Sequence, residues 1–140
     1  MPDTLEAMSL THYCRAHRLL GYRILDGIGC DHAAELYNGI GAEWMRPELR
    51  QKLTELLFVF GPAVFLHDLA YSLSEDRSRE AFRRANRQLL ANCLICLWDR
   101  VPFPTVRFFK GIAAAFAMYA ACDSFGWKAW KEADETHHTY

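Results

Sequence analysis

His67 and Asp68 stand side by side in GPAVFLHDLAYSL, a stretch whose other residues are nearly all apolar. An imidazole can take a proton from water near neutral pH, and a carboxylate can hold a hard cation. The pair therefore carries two groups that hydrolytic chemistry uses. Tyr71 follows at i+4 from the histidine and i+3 from the aspartate, so on a helix the three side chains cover one patch. A buried carboxylate is costly unless it is paired, bound to a metal or protonated, so Asp68 needs a partner.

A second polar residue sits on an apolar stripe further along. Phe82, Asn86, Leu89, Cys93 and Leu97 recur at helical spacing, with Arg83, Arg84, Arg87 and Gln88 on the other side. A buried amide also needs partners. The connection between these two segments is short enough for neighbouring antiparallel helices, and such a pair lets Asn86 face His67. Upstream, Tyr37-Asn38-Gly39-Ile40-Gly41-Ala42-Glu43-Trp44 contains two glycines that permit turns aiming several carbonyls at one point. Calcium favours oxygen ligands, backbone carbonyls included, so a loop of this kind beside Asp68 suits that ion. An ordinary turn and a solvent-facing His-Asp edge explain the same residues without chemistry.

Taken together, His67-Asp68-Leu69-Ala70-Tyr71, the glycine loop and the downstream partner helix resemble the phospholipase A2 superfamily, in particular its short prokaryotic and prophage-encoded relatives. The resemblance runs from about residue 37 to residue 93. It implies a calcium-dependent hydrolase of lipid esters acting at a lipid or membrane surface. His67 would be the general base. Asp68 would bind calcium together with the main-chain oxygens of Asn38, Gly39 and Gly41, and Tyr71 would brace the residue that orients the imidazole. That orienting residue is an acid in the family and is Asn86 here, 19 residues after His67. An amide accepts a hydrogen bond but brings no negative charge. In a comparable triad the same exchange lowers turnover roughly 10⁴-fold, so the expected activity is weak or nil and Asn86→Asp is expected to raise it. The family's secreted members also carry disulfides, for which this chain has no framework.

The same HD pair also looks like the core of the HD-domain metal-dependent phosphohydrolases, with His32, His67, Asp68 and Asp123 as ligands of one or two metals. A third reading is a non-catalytic, prophage-type helical protein that uses the scaffold for binding or assembly. Cys93 and Cys96 form a C-x-x-C with no second pair at zinc-ribbon spacing, and small apolar residues on a buried helix explain them.

These groups must be positioned by helices. The pattern predicts an all-α, single domain over residues 1–140, with a central antiparallel pair at about 61–74 and 79–99. A helix is expected within Leu5 to Leu20, a short one from Asp31 to Tyr37, and one from Pro47 to about Phe60. Gly61-Pro62 is expected to open the next, and Ser78 to cap the long one. Pro102 and Pro104 stop it, a last apolar helix runs from Thr105 to Cys122, and the tail from Glu132 frays. A small hairpin near residues 20–30 stays open.

Composition narrows the function classes. The 140 residues are 51% apolar, with 16 Lys+Arg against 17 Asp+Glu, enough for a core and without the basic excess of a nucleic-acid binder. The longest uncharged run, Gly111 to Cys122, falls short of the roughly 20 residues that span a bilayer. Five cysteines and no basic-then-apolar start are expected of a cytoplasmic protein with free thiols. Phe108, Phe109 and Lys110, with Trp127 and Trp130, serve core packing, a homo-oligomer contact or a lipid-facing surface.

Overall fold

The computed structural model describes residues 4–37 and 47–137. It comprises α1 (Thr4–Ala16), a 3-10 helix (Tyr22–Gly27), α2 (Cys30–Leu36), α3 (Pro47–Leu73), α4 (Arg79–Arg100), α5 (Val106–Phe125) and α6 (Trp127–His137). The class is all-α. No strand occurs among the described residues, and residues 20–30 hold the 3-10 helix rather than a hairpin.

Local chemistry sets the helix ends. At the end of α1, Leu19 N–H donates to Cys14 O (3.1 Å) and Arg18 N–H to Arg15 O (3.3 Å). Arg18 takes the left-handed conformation, φ 49°. This is the double C-terminal closure of a Schellman motif, with Leu19 and Cys14, both fully buried, as its apolar contact. The helix therefore stops short of Leu20. Ser78 caps α4, its hydroxyl accepting from Ala81 N–H at 3.1 Å, and Asp76 accepts in turn from Ser78 N–H at 2.9 Å. Thr105 caps α5 in the same way through Phe108 N–H.

Two expected boundaries fail. Gly61-Pro62 does not divide two helices, because α3 runs through it from Pro47 to Leu73. An interior proline removes one helical hydrogen bond and crowds the preceding turn. Here burial outweighs that loss: Val59, Phe60, Ala63, Val64, Phe65 and Leu66 around the proline are all core residues. The tail does not fray at Glu132 either. α6 continues to His137, anchored by Trp130, which is 1% exposed.

α4 lies between α3 and α5. Arg100 reaches the Val59 carbonyl (3.5 Å) while Asn86 meets His67, so these contacts run in opposite order along α3 and α4. α5 comes close because residue 111 is glycine, where a Cβ would collide with Leu97. The main core joins α1 to α5, and a smaller cluster gathers Ala81, Phe82 and Ala85 of α4 around Trp130, with Tyr71 and Trp127 against it. Cys14, Cys93 and Cys96 are buried free thiols within the main core.

Candidate functional site

His67 projects from the C-terminal part of α3 and Asn86 from the buried face of α4. The imidazole Nε2 lies 2.9 Å from the amide Oδ1. Asn86 is fully buried, and its Nδ2 donates to Asp123 Oδ1 of α5 at 3.3 Å. Three helices thus contribute one group each to a chain of imidazole, amide and carboxylate. Burial pushes the His67 pKa down to about 4, against a smaller upward effect of the Asn86 hydrogen bond. The histidine is therefore neutral at physiological pH, the state in which it can accept a proton.

His67 is one wall of a cavity of about 280 Å³. Leu20, Ile24, Leu66 and Leu89 supply apolar walls, and Arg84 and Asp76 bring charge to its lining. Trp130 lines it too, and its buried indole N–H has no acceptor among the described residues. A lip is formed by Leu20 and Gly21, held in place by Asn92. That side chain accepts from Leu20 N–H (2.7 Å) and donates to Leu20 O (2.9 Å), clamping the turn after α1 onto α4. Gly21 is in the left-handed region, φ 83°, and a Cβ there would press on Gln88.

Tyr71 lies one turn beyond His67, ring centroids 4.7 Å apart, and packs edge-on against Trp130 and Phe82. The Asn86 amide nitrogen donates to Asp123, whereas the Tyr71 ring meets its neighbours through aromatic contacts. Burial raises the Tyr71 hydroxyl above its ordinary range, reinforced by Cys122, Asp123 and Asp68. Asp68 is half-buried. Burial, and then the charges of Asp68 and Glu6, raise Tyr37 to about 12; burial likewise raises the Cys122 thiol, with Asp68 and Asp123 adding to it. Tyr37 is the last described residue before the glycine-containing segment. Asn38, Gly39 and Gly41 themselves fall outside the described residues.

The four residues of the phosphohydrolase reading are not gathered. His32 is exposed on α2, Asp123 bonds Asn86, and no three His, Cys, Asp or Glu side chains converge among the described residues. Asn92 and the Leu20–Gly21 lip were not singled out from the sequence, although a signal existed. Asn92 lies three residues after Leu89 and four before Cys96, both buried, which makes it a second amide on the apolar face of α4. Comparisons with family models, with characterised proteins and with solved structures find no match for this chain.

Proposed function

We propose that the protein is a lipid-ester hydrolase of the phospholipase A2 type, with His67 as general base. The single observation that carries this reading is the His67–Asn86 contact of 2.9 Å at the wall of an apolar cavity. A neutral imidazole, oriented by a buried partner and open to a space that admits an acyl group, is what water activation requires.

Asp68 fits calcium by its chemistry, as a half-buried hard-oxygen donor beside Tyr37. With the main-chain oxygens of Asn38, Gly39 and Gly41 it would hold the ion. Calcium in such a place polarises an ester carbonyl. His67 takes the proton from water, Asn86 holds the ring, and Leu20, Ile24, Leu66 and Leu89 give an acyl group apolar walls.

The test is hydrolysis of short-chain and long-chain phospholipid esters with calcium titrated from zero. Release of fatty acid by the wild type, lost in His67→Ala and shifted to higher calcium by at least tenfold in Asp68→Asn, supports the reading. Equal rates in all three proteins would count against it. No hydrolysis by folded wild type at saturating calcium would leave the non-catalytic binding reading in its place.

A further inference from the structure

Asn86 departs from the acid that a His-directed hydrolase places behind its base, yet a carboxylate stands one group further back. Asp123 can only accept hydrogen bonds when ionised. Its Oδ1, 3.3 Å from Asn86 Nδ2, therefore sets which end of the amide faces α5. The nitrogen turns toward Asp123, and the oxygen toward His67. That oxygen accepts only, so the hydrogen between it and His67 Nε2, 2.9 Å away, belongs to the imidazole. A neutral imidazole protonated at Nε2 keeps its lone pair on Nδ1.

We propose that Asp123 is a positioning residue of this site: through the Asn86 amide it selects the Nε2–H tautomer of His67 and leaves Nδ1 as the basic atom. The reversed amide is the competing state. It would donate from Nδ2 to Nε2, favour the Nδ1–H tautomer, and set the Asn86 oxygen against the Asp123 carboxylate. Two oxygens at that separation, with no hydrogen between them and one of them charged, repel. Full burial of Asn86 denies either of its polar ends bulk water as a substitute partner. The negative charge of Asp123 thus acts on His67 by polarity rather than by direct contact. The catalytic consequence rests on the hydrolase reading, whereas the tautomer does not.

This arrangement also changes what Asn86→Asp should do. The substitution puts a second carboxylate within hydrogen-bonding distance of Asp123, and like charges there force one of the two to hold a proton. The single variant is therefore not expected to raise activity. The exchange Asn86→Asp with Asp123→Asn keeps one acid and one amide and places the acid directly on His67. Asp68, Tyr71 and Cys122 also face this region and are unchanged in both variants.

The experiment is long-range ¹H–¹⁵N NMR of the His67 ring in the full chain near pH 7, its signals assigned by their loss in His67→Gln. The wild type is expected to show a protonated Nε2 and an unprotonated Nδ1. Asp123→Asn preserves size, but its amide can turn either way. The two ring nitrogens should then move toward a common shift, with the rest of the spectrum unchanged. An Nδ1–H wild type, or an Asp123→Asn variant that keeps the Nε2–H pattern, would overturn the inference. Should the tautomer behave as expected while no ester is cleaved, the hydrolase reading fails alone. Should esters be cleaved by an Nδ1–H histidine, the positioning role fails alone.

Discussion

The depressed pKa of His67 is a statement about stability as well as chemistry. The folded protein holds the ring neutral down to about pH 4, whereas an unfolded chain protonates it near 6.5. Between those values the unfolded state binds the extra proton, so stability contributed by this residue is complete above pH 6.5 and declines as the pH falls toward 4. The loss is at most roughly 3 kcal/mol. Urea unfolding of wild type and His67→Gln at pH 7 and pH 4.5 checks it: the wild type should lose more stability than the variant, and parallel losses would refute it. The acid limb of any hydrolysis profile should also lie near pH 4 to 5 rather than at 6.5. Arg18 shows the opposite kind of residue effect. A left-handed arginine carries a steric penalty that glycine lacks. Arg18→Gly should therefore stabilise the chain by up to about 1 kcal/mol, visible as a higher melting temperature.

At the scale of elements, the site depends on α3, α4 and α5 holding their spacing and on the turn after α1 closing over them. Gly111 sets the distance of α5, and hence of Asp123, from α4. Asn92 sets the lip. Replacing it with alanine leaves both main-chain groups of Leu20 without their partner, at a cost of about 2 kcal/mol. Amide exchange at Leu20 should accelerate in Asn92→Ala, and unchanged exchange would show that another group holds the turn. The ends of these elements were largely readable beforehand. Ser78, Pro102 and the 26–29 glycine break act within a few residues of themselves. Pro62 was misread for the same reason: its penalty is local, whereas the burial that overrides it comes from α1, α4 and the rest of the core. α6 is amphipathic in its sequence, but Trp130 finds its place only against Tyr71 and Phe82.

Across the whole molecule, no helix among the described residues is long and apolar enough to cross a membrane. The α4–α5 corner nevertheless exposes Trp98 (67%), Phe103 (57%), Val106 (71%) and Phe109 (55%), close to the exposed Arg107 and Lys110. Trp98 and Phe103 are within 5.6 Å of each other, and Phe103 and Phe109 within 6.1 Å, so these rings form one patch. Phe108, by contrast, is in the core. Under the proposed lipid-ester reading this corner would be the part to meet a lipid surface, with aromatic rings at headgroup depth and cations near anionic lipid. Trp98→Ala with Phe109→Ala should lower co-sedimentation with anionic phosphatidylglycerol vesicles several-fold and leave hydrolysis of a monomeric ester unchanged. Concentration-dependent self-association, lost in the same variant, would instead make this corner a contact between copies of the chain.

Helical periodicity, caps and breakers were enough to establish the all-α class and most element limits, because each signal operates along the chain at a range of three or four residues. The spacing of His67 and Asn86 could also be read in advance, since both interrupt apolar stripes on helices separated by a short turn. The part played by Asp123 was not legible. On its own helix it is an unremarkable acid near the C-terminal end, and it acquires a role only because α5 packs against α4 closely enough to bring its oxygen to the Asn86 amide. The direction of a buried hydrogen bond depends on the donors and acceptors that meet in space, and three separate helices have to dock before that set exists.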